Sequence, residues 1–82
     1  MSFELSWREG ALKDLERLEI FLRKRIVKKI LEFVEIGNFH EVKRMTGYDN
    51  MYRLRVGDYR VIFEMIDGKV VVTKVGHRKN IY

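Results

Sequence analysis

The chain reads as an α+β domain: one strand, two N-terminal helices, then a three-stranded antiparallel meander, with the helices packed on one face of the sheet. Three observations predict this class. Apolar residues in the first half recur three and four apart, as one face of a helix requires. From Met51 onward they alternate with polar residues, the period of a half-buried strand. That alternating half is punctuated by Gly57-Asp58 and Asp67-Gly68, both two-residue hairpin signals.

Length and composition narrow the reading. The 82 residues make a single domain over 1–82, near the size where one core only just suffices. With no cysteine, neither a disulfide nor a thiolate metal site can staple it. Apolar residues make up 46%, enough for a core, and no apolar run approaches the roughly 20 residues that span a bilayer. The opening Met1-Ser2-Phe3-Glu4 is not a charged leader before a long apolar stretch, so the expected location is cytoplasmic, with no membrane contact. Net charge is +5: through Phe39 eight Lys/Arg stand against seven Asp/Glu, and from His40 onward nine stand against five. A basic C-terminal half suggests nucleic acid or an acidic protein partner. The charged fraction of 35%, without glutamine or cysteine, leans towards a heat-adapted source.

Taken in order, Phe3-Glu4-Leu5-Ser6-Trp7 alternates as a first strand, with Phe3, Leu5 and Trp7 on one face. Ser6 to Glu9 has the Ser-x-x-Glu form of a capping box, which predicts that a helix starts at Trp7. Ala11, Leu12, Leu15 and Leu18 continue it at helical spacing. A longer helix follows from Glu19 or Ile20 to Ile36, with Gly37 placed to end it. Leu22, Ile26, Ile30, Phe33 and Val34 centre its apolar arc, and Val27 with Leu31 widens it. Arg23, Lys24, Arg25, Lys28 and Lys29 form a solvated face or a phosphate contact. Residues 38–50 read as a loop in which Val42 and Met45 anchor inward while Lys43 and Arg44 point out.

In the meander, Gly57 first in its turn suits type II′, pairing Val56 with Tyr59, Arg55 with Arg60, Leu54 with Val61 and Arg53 with Ile62. Arg53, Arg55 and Arg60 then share one face. Like charges directly opposite destabilise a sheet pair, so the arrangement invites an anion, and guanidinium rows fit phosphate. Across Asp67-Gly68, Glu64 faces Val71, Ile62 faces Thr73 and Arg60 faces Val75. Continued alternation places His77 on the Arg60 face and Lys74 on the covered face, where it either snorkels or marks a break in register. The open face thus gathers Arg53, Arg55, Arg60 and His77, followed by Arg78, Lys79 and Tyr82.

No carboxylate pair, nucleophile elbow, glycine-rich phosphate loop or metal-ligand spacing is present, so no cofactor or metal is expected. RNA brings its own nucleophile, the 2′-hydroxyl; a protein need only move protons and stabilise charge on phosphorus. Arginines serve the second task but not the first, because guanidinium stays protonated. His77 and Tyr82 are the candidate proton-transfer groups. Cleavage and simple binding fit this constellation equally.

The segments Tyr52-Arg53-Leu54-Arg55-Val56-Gly57-Asp58-Tyr59-Arg60-Val61-Ile62-Phe63, Lys69-Val70-Val71-Val72 and Gly76-His77-Arg78-Lys79-Asn80-Ile81-Tyr82 resemble the RelE toxins of the RelE/ParE superfamily. Earlier elements fit too, including Val42-Lys43-Arg44-Met45-Thr46-Gly47 before the sheet. The resemblance implies a microbial-ribonuclease-like fold. It implies an mRNA interferase acting in the ribosomal A site, leaving a 2′,3′-cyclic phosphate and a 5′-hydroxyl. It also implies a RelB-type antitoxin that masks the active face in a hetero-oligomer. The family's basic pair falls on Arg53 and Arg55, its second-strand arginine on Arg60, its tail arginine on Arg78 and its tail tyrosine on Tyr82. Well-known members carry lysines at the first two positions, one a candidate base; here His77 is available for that role. Catalytic roles therefore fall on Arg55, Arg60, Arg78, Tyr82 and His77, and RNA binding on Arg53, Lys79, Lys43 and Arg44. The alternatives are a ParE-like gyrase poison and a RelE-shaped module without catalysis.

Overall fold

A computed structural model describes residues 3–81. Its elements are β1 (Glu4–Trp7), α1 (Glu9–Glu16), α2 (Ile20–Ile36), β2 (Val42–Arg44), β3 (Met51–Val56), β4 (Tyr59–Ile66) and β5 (Lys69–His77). The strands form one five-stranded sheet in the order β1-β5-β4-β3-β2. β1 runs parallel to β5, and the other neighbours are antiparallel.

The two helices are distinct. Ser6 does not cap α1, because β1 continues through Trp7 and the Arg8 N–H donates to the Val72 carbonyl at 2.9 Å. Sheet pairing wins over the local capping signal there, and Arg8 takes the N-cap position without a side-chain bond. α2 starts at Glu19, whose carboxylate accepts from the Phe21 and Leu22 N–H groups at 2.6 and 3.2 Å. It ends at Gly37, left-handed at φ 78°, as an αL cap requires. Ile26, Ile30, Phe33 and Val34 are buried against Leu54, Val56, Val61, Phe63, Val70, Val72 and Val75. The Phe33 ring lies 5.1 Å from both Phe39 and Phe63.

Two further expectations are corrected. Residues 38–50 contain a fifth strand: Val42 pairs with Leu54, Lys43 with Arg53 and Arg44 with Tyr52. The Arg55 N–H donates to the Glu41 carbonyl at 2.9 Å, so the ladder reaches one residue further back. Three strand residues followed by Gly47 and Asp49-Asn50 are too short a run to stand out from turn-forming sequence.

The second correction is in the β4–β5 register. Both hairpin turns form as expected: Gly57 has φ 60°, and Asp67 and Gly68 have φ 51° and 76°, the paired positive values of type I′. Every β3–β4 pairing matches the count outward from Gly57-Asp58. Between β4 and β5, however, the register breaks at Ile62/Phe63. Phe63 pairs with Val72 but Ile62 pairs with Lys74, leaving Thr73 as the extra residue of a bulge. The Thr73 hydroxyl donates to the Ile62 carbonyl at 3.2 Å. The physical reason is burial: the shift moves Lys74 to the exposed face and brings Val75, 5% exposed, into the core. It also sends His77 to the other face, paired with Tyr59, while Arg60 pairs with Gly76. Among the described residues no helix is long and apolar enough to cross a membrane.

Candidate functional site

The register lines up side chains in rows across the face that the helices leave open. One row runs Arg55, Arg60, Gly76; the next runs Lys43, Arg53, Ile62, Lys74. The backbone bond from Arg55 to Glu41 adds Glu41 at the head of the first row. His40, Glu41, Lys43, Arg53, Arg55 and Arg60 line a pocket of about 120 Å³. Four of these six carry fixed positive charge.

Two contacts set the geometry. Arg55 Nε lies 3.1 Å from Glu41 Oε2, and His40 Nε2 lies 3.6 Å from Glu41 Oε1. Arg60 Nη1 donates to the Gly57 and Tyr59 carbonyls, both at 3.0 Å, so the turn holds this guanidinium beside Arg55. The opposed arginines thus have an internal anion on one flank, which offsets part of their repulsion. The turn also meets α2: a Cβ on Gly57 would lie 3.3 Å from Arg25 Nη1 and Nη2.

The C-terminal tail returns to the same turn. The Arg78 N–H donates to the Asp58 carbonyl at 2.8 Å, and Arg78 Nε lies 3.7 Å from Asp58 Oδ1. Ile81 is 4% exposed and sits where a Gly76 Cβ would touch it at 3.6 Å. Ile62 and Ile81 are buried yet lie outside the main core. A glycine inside a strand marks such close approach.

The expected site residues are therefore divided. Arg53, Arg55, Arg60 and Lys43 share the pocket, whereas Arg78 is not among its lining residues and docks on Asp58 at the hairpin tip. Arg44, opposite Tyr52, lies on the other face of β2. Lys79 is exposed in the turn after β5, and its N–H donates to His77 Nδ1 at 3.1 Å. His77, expected beside Arg60, stands instead edge-on to Tyr59, with ring centroids 5.3 Å apart. Tyr82 lies outside the described residues. The two groups that sequence reasoning missed are His40 and Glu41. Their placement follows from the pairing of β2 with β3, which puts Glu41 and Lys43 on one face; Phe39, Val42 and Met45 stand three apart, so no strand period in the sequence marks this segment.

Basic rows on one open sheet face, with a cationic tail docked on the central hairpin, define a class. Residues 5–82 match the family model described as ParE toxin of type II toxin-antitoxin system, parDE. The chain belongs to this RelE/ParE family of type II toxin–antitoxin toxins. Within it the chain is a RelE-family toxin. It is 38% identical to Toxin RelE3 of Methanocaldococcus jannaschii over 76 residues, covering 87% of this chain and 85% of the relative. It is 34% identical to the mRNA interferase toxin RelE of Escherichia coli K12 over 83 residues, covering 96% and 86%. Its fold is similar to the RelB–RelE antitoxin–toxin complex from Methanococcus jannaschii, with TM-score 0.78 and 33% identity over 93% of each chain. It is likewise similar to the intact E. coli RelBE complex, with TM-score 0.76 and 30% identity, covering 93% of this chain and 96% of that one.

Proposed function

We propose that this chain is a ribosome-dependent endoribonuclease that cuts mRNA in the A site, and that a RelB-type antitoxin holds it inactive. The observation that carries the reading is the pocket in which Lys43, Arg53, Arg55 and Arg60 converge, on the hairpin whose Asp58 holds Arg78. A curated relative named mRNA interferase supports it. In this reading the message's 2′-hydroxyl attacks the adjacent phosphorus, giving a 2′,3′-cyclic phosphate and a 5′-hydroxyl. Arg55 and Arg60 stabilise the added charge on phosphorus, and Arg78 stabilises the leaving oxygen. Lys43, Arg53 and Lys79 contact the backbone of the message. The antitoxin, an acidic chain in a cytoplasmic hetero-oligomer with this one, competes for the same basic face; RelB–RelE complexes among the similar structures support that partner.

The test is primer extension on programmed ribosomes with wild type and Arg60→Ala. Loss of about 10²-fold or more in cleavage is expected, the usual effect of removing one charge-stabilising donor. Stability should change little, because relief of the Arg55–Arg60 repulsion offsets the loss of two partly exposed hydrogen bonds. Equal cleavage by both proteins would overturn the assignment. The ParE name of the family model supports a second reading, gyrase poisoning. Inhibition of supercoiling without any cut message would establish that reading in place of the first.

A further inference from the structure

The bulge in β5 removes His77 from the arginine row, which leaves Glu41 and the exposed His40 as the proton-accepting side chains that line the pocket. We infer that the Glu41 carboxylate is the general base of the site; this rests on the RNA-cleavage reading above. Three features carry it. Glu41 heads the Arg55–Arg60 row and faces the same pocket. Its side chain is 27% exposed, so it is sheltered but reachable. Its two oxygens have different neighbours: Oε2 is oriented by Arg55 Nε at 3.1 Å, while Oε1 has His40 Nε2 at 3.6 Å, beyond hydrogen-bond range. An ionised carboxylate is acceptor-only, which arginine and lysine in the same pocket are not.

With a phosphate between Arg55 and Arg60, the 2′-hydroxyl gives its proton to Glu41 as O2′ bonds to phosphorus. The P–O5′ bond breaks with its electron pair on O5′, which takes a proton from water at the open side of the pocket. Protonated Glu41 then returns its proton to water, directly or through His40. Atoms and charge balance without a further reagent.

The competing physical account is that Glu41 serves only as counter-ion to Arg55. Glu41→Gln separates the two, because glutamine can still accept from Arg55 but cannot take the proton. Single-turnover cleavage on programmed ribosomes is measured against pH for wild type, Glu41→Gln and Arg60→Ala, with urea unfolding of each. General-base action predicts a loss of about 10²- to 10⁴-fold in Glu41→Gln. It also predicts that the wild-type fall in rate towards low pH disappears. Glu41→Gln cleaving within about 3-fold of wild type, or a slow Glu41→Gln that keeps the low-pH fall, would overturn the inference. If Glu41→Gln fails to fold, Glu41→Asp carries the test: it must keep the low-pH fall, and a flat profile would refute the base role. A dead Arg60→Ala beside an active Glu41→Gln would sink this inference alone; an inactive wild type would sink the cleavage reading itself.

Discussion

Replacing Gly57 by alanine tests whether the turn that positions Arg55 opposite Arg60 depends on a backbone state that only glycine adopts readily. Gly57 has φ 60°, which costs an L-residue about 1–2 kcal/mol. The new Cβ would also stand 3.3 Å from Arg25 Nη1 and Nη2, closer than ordinary van der Waals contact. Arg25 is exposed and its long side chain can turn aside, so yielding by a few tenths of an ångström should add less than about 0.5 kcal/mol. A total loss of about 1–2.5 kcal/mol follows, read as a lower urea midpoint at unchanged m. In a domain of this size that corresponds to a fall in Tm of about 4–8 °C per kcal/mol. A cycle with Arg25→Ala separates the two terms: the alanine penalty should agree in both backgrounds within about 0.5 kcal/mol. A penalty below about 0.5 kcal/mol would refute the claim that this dihedral holds the hairpin. A larger coupling would assign the cost to the Arg25 contact instead.

Two further outcomes probe what supports the site. Asp14 Oδ2 accepts from the Val75 N–H at 2.9 Å, just past the end of β1, so Asp14→Ala should cost about 1–3 kcal/mol in urea unfolding. Unchanged stability would mean that water satisfies this donor. Gly76→Ala should be tolerated, since its Cβ would make an ordinary 3.6 Å contact with Ile81, whereas Gly76→Val should displace the tail. Exposing Ile81 would then cost about 1.5–3 kcal/mol and reduce cleavage through Arg78. Equal activity of the alanine and valine proteins would count against a tail seated on Gly76.

Local chemistry made much of this molecule legible from residue order alone. Gly57-Asp58 and Asp67-Gly68 specify their turns through positive φ, and each turn fixes the adjacent register by counting outward. The helical period with Glu19 and Gly37 bounded α2 correctly, and the arginine pairing across β3 and β4 followed from the turn. These are short-range constraints. What lay beyond them depended on burial and on contacts between distant segments. Trp7 joined β1 rather than a capped helix because β5 was there to pair with it. Residues 42–44 became a strand because β3 offered an unpaired edge. Lys74 carried a charge that the covered face could not hold, so the chain bulged at Thr73, and every residue after it changed sides. That single inserted residue separated His77 from Arg60, while the pairing of β2 with β3 brought Glu41 beside Arg55. Residue order determined the arginine row; the tertiary structure decided which proton-transfer groups stand next to it, because faces in a sheet alternate with a period of two and one bulge inverts them.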